Sequence, residues 1–127
     1  MTNPLLSICI PTFNRADFLR WTLNKTTQDF PQAKVVVSDN GSTDATRTVV
    51  QEAGARYIRQ SKNIGAFANM RAALLAGSTK YSVFLADDDY LVPEEVQKGI
   101  LASRWWEKER AEAVSLIRQL ETELELL

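Results

Sequence analysis

The sequence contains no histidine and a single cysteine, Cys9. Without histidine there is no Ser-His-Asp or Cys-His catalytic arrangement, no imidazole base and no His-ligated metal. One cysteine allows neither an internal disulfide nor a cysteine-based zinc site. Any metal must then be held mainly by oxygen ligands, and a reducing cytosolic setting fits. Basic residues are not in excess, 15 Lys and Arg against 16 Asp and Glu, so no nucleic-acid footprint is expected. Apolar runs fall short of the roughly 20 residues a membrane-spanning helix needs. Residues 1–10 lack the basic start and Ala-x-Ala-like cleavage site of a signal peptide. Asn24-Lys25-Thr26 and Asn40-Gly41-Ser42 match the glycosylation pattern, but without a secretion signal both read as coincidence. The expectation is a cytoplasmic protein, with any membrane association made through partners.

What is present is ordinary globular material. The chain has 127 residues, 45% hydrophobic and 24% charged, enough for one domain or most of one with a real core. Leu5 to Ile10 is a short apolar run closed by Pro11, which reads as a buried strand. Apolar Phe18, Leu19, Trp21 and Leu23 suggest a helix over Asp17–Thr27. Ala33–Val37 carries three consecutive valines, typical of a strand buried on both faces. A helix is expected from Ser42 or Thr43 to Ala53, with Gly54 as its stop. Ala55–Arg59 reads as a third strand, Ala66–Ala76 as an alanine-rich helix stopped by Gly77, and Tyr81–Ala86 as a fourth strand. Pro93 suits the first turn of another helix.

Alternation of strand and helix argues for an α/β fold with a parallel sheet and right-handed crossovers. In such sheets ligands bind beyond the carboxyl ends of the strands. The polar clusters fall at those ends: Thr12, Asn14 and Arg15; Asp39 and Asn40; Asn63; and Asp87, Asp88 and Asp89. Their convergence on one edge is the main functional signal.

Adjacent carboxylates at a strand end repel unless a cation or a helix N-terminus compensates them. Hard divalent ions prefer such oxygens and can bridge to a diphosphate. The competing role is helix capping, for which Asp89 is the first candidate. Asp39 could accept from ribose hydroxyls or a base N–H, against a turn role for Asp-Asn-Gly. Arg15 could offset phosphate charge, although a lone loop arginine is usually solvated. Arg71 is expected on an exposed helix face, and Trp21 and Phe67 in the core.

From Glu94 to the end there is no proline, and no glycine after Gly99, so the stretch could be one helix of roughly 50 Å. Val114, Ile117, Leu120, Leu124 and Leu127 form an apolar stripe, short for a coiled coil. It could pack on its own domain, stay partly exposed or form a dimer.

Together these residues form a family pattern. Leu6-Ser7-Ile8-Cys9-Ile10-Pro11-Thr12-Phe13-Asn14-Arg15 resembles the opening of a family 2 glycosyltransferase with the GT-A fold. Val35 to Asp44 resembles the second-strand motif, Asn63-Ile64-Gly65 with its helix the third, and Phe84 to Asp89 with Pro93 the region of the DXD motif. The resemblance covers about residues 5–100. It implies a Rossmann-like GT-A half, a mainly parallel sheet flanked by helices with a C-terminal helical tail. It also implies glycosyl transfer from a nucleotide-diphosphate sugar, with a UDP-sugar favoured, and Mn²⁺ or Mg²⁺ as cofactor. Pro11, Thr12, Asn14, Arg15, Asp39, Asn40, Asn63 and Asp87 would lie against the nucleotide sugar, and Asp88 with Asp87 would hold the metal. Two departures stand out: Ala86 where many members have the first DXD acid, and Asn40 in place of the usual second acid.

Family catalytic domains extend well beyond the matched region, and their second half supplies the acceptor site and the base. The expected organisation is therefore a truncated nucleotide-sugar-binding part over 1–103 and an amphipathic helical tail over 104–127. The tail would serve a homodimer or an absent acceptor half. The alternative is a non-catalytic fragment that binds nucleotide or a partner through the tail. Nucleotidyltransferases and dinucleotide oxidoreductases are disfavoured, because no glycine-rich loop follows the first strand.

Overall fold

The computed structural model describes residues 4–126. Eight elements follow in order: β1 (Leu6–Thr12), α1 (Ala16–Asp29), β2 (Lys34–Asp39), α2 (Thr46–Ala53), β3 (Arg56–Arg59), α3 (Ala66–Leu75), β4 (Tyr81–Phe84) and α4 (Pro93–Glu125). The four strands form one sheet in the order β3-β2-β1-β4, and every neighbouring pair is parallel. This is the α/β sheet that the alternation of elements predicts, and β1 lies at its centre.

Burial follows from the pleat. Cys9 and Val36 are register partners and form a buried cluster with Ala73 of α3, flanked by Ile58 and Leu74. Ile8, Ile10 and Val37 alternate to the opposite side and are fully buried, as are Leu19 and Leu23 of α1 and Val50 of α2. Each such side chain contributes about 1.5–3 kcal/mol on burial, so the apolar runs of β1 and β2 hold the two layers of helix to the sheet. The edge strands β3 and β4 are only partly buried.

Local chemistry adjusts several boundaries. β2 runs two residues past the valines, so Asp39 is the last residue of the strand and not part of the following turn. α2 begins at Thr46, later than the capping residues suggest, because Ser42 and Thr43 are engaged elsewhere. The Ser42 hydroxyl accepts from the Asn14 N–H, and the Thr43 N–H donates to Asn14 Oδ1. The helix is opened by Asp44, which accepts from the N–H of Thr46. Gly54 ends it with φ 72°, as expected of a left-handed cap. Gly41 has φ 79°, and a Cβ there would sit 3.1 Å from the carbonyl carbon of Lys62, which explains a glycine in that turn.

The chain divides into two compact units, one ending at Leu91 and the other starting at Val92. The second is α4, a single 33-residue helix with Pro93 in its first turn and Glu94 and Glu95 at its positive end. It runs unbroken through residues 103 and 104. None of its described side chains is buried, and Trp105, Trp106, Ile117, Leu120 and Leu124 are exposed. Leu127 lies outside the described residues. Among the described residues no helix is long and apolar enough to cross a membrane.

Candidate functional site

A cleft of about 370 Å³ opens at the carboxyl ends of the strands. Of the residues singled out from sequence, Pro11, Thr12, Arg15, Asn40, Asn63 and Asp87 line it. They come from three strand ends and the loop before α3, so the parallel sheet brings together residues up to 76 positions apart. The remainder of the lining is mostly apolar and includes Phe13, Phe67, Met70 and Phe84.

The acidic corner is organised by Arg15. Its guanidinium reaches Asp87 Oδ1 at 3.2 Å and Asp88 Oδ2 at 2.8 Å, bridging both carboxylates. Phe18 lies against the guanidinium, 4.9 Å from Cζ to ring centroid. Asp87 is buried, and its other oxygen accepts from the Thr12 hydroxyl at 2.8 Å. Its backbone carbonyl accepts from the Thr22 hydroxyl of α1 at 2.7 Å. Burial pushes the Asp87 carboxyl above its ordinary range, against the opposing effects of the Thr12 bond and the Arg15 charge. Asp88 is 44% exposed in its side chain and does not line the cleft proper. The lone loop arginine is thus ion-paired and not simply solvated, since three carboxylates in a row at the β4 end leave it a ready partner.

Asp39 faces the other way. It is fully buried, and its Oδ1 accepts from the Ser42 N–H. Its Oδ2 accepts from the Tyr57 hydroxyl at 2.5 Å and from Arg59 at 3.3 Å. Burial and the neighbouring carboxylate hold the Tyr57 phenol above its ordinary pKa. Asp39 does not line the cleft, and neither does Asn14. Asn14 has φ 49° and fastens the β1–α1 loop to the β2–α2 loop through Ser42 and Thr43.

Asn40 and Asn63 hold one loop. Asn40 Nδ2 donates to Asn63 Oδ1 at 3.0 Å and to the Gly65 carbonyl at 3.3 Å, while its Oδ1 accepts from the Ile64 N–H. An acid at this position would lack the two donations. Asp89 is not a helix cap: its Oδ1 accepts from the Tyr90 N–H, and Val92 occupies the N-cap of α4 without a side-chain bond. The backbone of Ala86 accepts from the Asp89 N–H, so an alanine completes the turn that carries the acids.

Asn69, Phe13 and Phe84 escaped the sequence reading, and Phe67 was expected elsewhere. Asn69 is 2% exposed, donates to the backbone carbonyls of Ser38 and Thr12, and accepts from the Ser38 hydroxyl. It locks α3 to the ends of β1 and β2. An asparagine inside an alanine-rich helix was the available signal, since such a residue needs partners when buried. Phe13, Phe67 and Phe84 are 40%, 83% and 41% exposed at the cleft. Phe67, expected in the core, is open to solvent instead, because α3 turns its Asn69 and Ala73 face to the sheet. Trp21 is likewise half exposed and meets Tyr90 edge to face at 6.3 Å.

The sequence model of the family described as Glycosyl transferase family 2 matches residues 7–120. The chain belongs to this family. It is 33% identical over 96 residues to the GalNAc(5)-diNAcBac-PP-undecaprenol beta-1,3-glucosyltransferase of Campylobacter jejuni, a match covering 70% of this chain and 31% of that enzyme. The chain thus spans less than a third of that family member. Among solved structures, S. aureus TarS 1-349 in complex with UDP superposes with a TM-score of 0.67 at 23% identity, over 76% of this chain and 31% of that one. The mannosyltransferase PcManGT from Pyrobaculum calidifontis, solved with GDP-Man and Mn²⁺, gives 0.64 at 18% identity over the same shares. At these identities the structures carry the fold: the sheet and its helices are those of a Rossmann-like GT-A half.

Proposed function

We propose that this chain is the donor-binding part of a glycosyltransferase that takes a nucleotide-diphosphate sugar, a UDP-sugar first, together with Mn²⁺ or Mg²⁺. The observation that carries the reading is the cleft itself: its lining joins the aromatic side chains of Phe13, Phe67 and Phe84 with Arg15 and Asp87, and Arg15 also pairs with Asp88. Aromatic faces suit a nucleobase, and a guanidinium fork suits a diphosphate. Thr12, Asn40 and Asn63 supply polar edges for ribose and base.

The donor set fits a divalent ion. Among the described residues no group of three or more acidic or cysteine side chains forms a cage, but Mg²⁺-type sites commonly use one or two carboxylates and fill the rest with phosphate and water oxygens. Asp88, half exposed, with Asp87 beside it, would hold the ion. When bound, it would neutralise the departing diphosphate. Asp39 in this reading shapes the nucleoside pocket through Ser42, Tyr57 and Arg59. Acceptor recognition and proton removal fall to a second half, for which the longer family members have room. Pro11 would form part of the floor of the pocket, and Asn14 would act through the loop it ties down.

A second reading, a nucleotide- or partner-binding fragment without turnover, is favoured by the exposed apolar residues of α4. A dimer or an acceptor half are the partners this reading would supply. Calorimetric titration of UDP with Mn²⁺, and again with EDTA, tests the donor site. Metal-dependent binding that Asp88→Ala abolishes is the expected result. No binding of UDP, GDP or dTDP under either condition would leave only the partner-binding reading.

A further inference from the structure

The two carboxylates assigned to the metal already have a cation. Arg15 bridges Asp87 and Asp88 with separate guanidinium nitrogens, at 3.2 and 2.8 Å. Asp87 gives its second oxygen to Thr12, so Asp88 Oδ1 is the carboxylate oxygen left over, and a divalent ion bound through these acids either sits beside the guanidinium or replaces it. Like charges on shared ligands repel. The Arg15–Asp88 pair is the easier half to open, because both side chains are more than 40% exposed and exposed pairs are weak.

We infer that Arg15 is a resident counter-cation. In the ligand-free chain it neutralises Asp87 and Asp88 and lowers their affinity for a divalent ion. When a nucleoside diphosphate enters the cleft that Arg15 also lines, the guanidinium transfers from the acids to the phosphates. Planar guanidinium forks match phosphate as well as carboxylate, so the exchange keeps Arg15 paired in both states. Nucleotide and metal then bind in a coupled manner, each lowering the obstacle to the other. Arg15 is a positioning residue in this scheme, and the inference rests on the metal reading above.

The test is Mn²⁺ binding to the full chain, followed by the electron paramagnetic resonance of free Mn²⁺, with and without UDP. Arg15→Gln should bind Mn²⁺ alone about tenfold more tightly than the native chain, the direction set by removing a like charge from the site. UDP should tighten Mn²⁺ strongly in the native chain and much less in Arg15→Gln. If Arg15→Gln does not fold, Arg15→Met keeps the length of the side chain, removes the same charge and should shift affinity the same way. Equal or weaker Mn²⁺ binding by the variants without nucleotide overturns the inference while leaving the metal site intact. Mn²⁺ uptake absent in all chains, or indifferent to Asp88→Asn, removes the metal reading and the inference with it.

Discussion

The Thr12 hydroxyl donates to the buried carboxylate of Asp87 at 2.8 Å, across 75 residues of sequence. Thr12 ends β1, and Asp87 follows β4, its parallel neighbour. The bond therefore exists only when the register is correct and both chain segments emerge side by side. Thr12→Val keeps the shape of the side chain and removes the donor. A buried acceptor left unmatched costs about 1–3 kcal/mol. Urea unfolding should report a loss in that range with an unchanged m-value, and an unchanged midpoint would mean that Arg15 alone suffices for Asp87.

Asn40 makes a sharper case, because the change involves almost no volume. Its amide donates to Asn63 Oδ1 and the Gly65 carbonyl, while its carbonyl accepts from Ile64. Asn40→Asp would keep the acceptor and set a carboxylate oxygen against two other oxygens. The expected cost is about 1–3 kcal/mol, with increased proteolysis in the 61–65 loop. Restored stability in the double variant Asn40→Asp, Asn63→Lys would fit the same electrostatic cause.

The scale of what could be read from sequence alone follows from these residues. The strands and helices were legible because Ile8, Ile10, Val36 and Val37 must be buried and because Gly54 and Pro93 punctuate the chain. The convergence of Thr12, Arg15, Asn40, Asn63 and Asp87 on one cleft was legible because a parallel sheet places all strand ends on one edge. The direction of Asp39 was not. Its partners Tyr57 and Arg59 come from β3, and the pairing of Asp39 with Arg59 depends on strand register. The exposure of Phe67 was hidden for a related reason. In an alanine-rich helix with little amphipathic contrast, only the buried Asn69 and Ala73 reveal which face meets the sheet.

Asp44 joins two helix starts. One carboxylate oxygen accepts from the Ala16 N–H, the first of α1, and the other from the Thr46 N–H and hydroxyl at the start of α2. Partial burial works against the charge, but the bonds from Thr46 and Ala16 outweigh it and hold the carboxyl below its ordinary value of 3.8. A depressed folded pKa contributes stability that is fully present above the unfolded value and lost as pH falls through the folded one. Asp44→Asn should therefore be less stable than the native chain by a constant margin from pH 7 down to about pH 5. The margin should close below the ordinary aspartate range. Urea midpoints measured across that window check it, and a margin indifferent to pH would remove the charge from the explanation.

Phe67 separates binding from folding. Its ring is 83% exposed in the first turn of α3 and lines the cleft with Phe13 and Phe84. An exposed side chain without buried partners contributes little to stability, so Phe67→Ala should move the unfolding free energy by no more than about 0.5 kcal/mol. A large exposed aromatic in a cleft does have a use when a planar ligand stacks on it, and base–aromatic stacking contributes about 1–3 kcal/mol per base. UDP affinity should then fall by about 5- to 150-fold in Phe67→Ala, with Phe67→Tyr close to native. Ribose and phosphate contacts are untouched by this change, so a simple diphosphate should bind the variant and the native chain equally. Loss of UDP affinity together with preserved diphosphate affinity puts the base against α3. Equal loss of both would instead mean that the substitution disturbs the adjoining Asn63–Gly65 loop, which Asn40 holds through its hydrogen bonds.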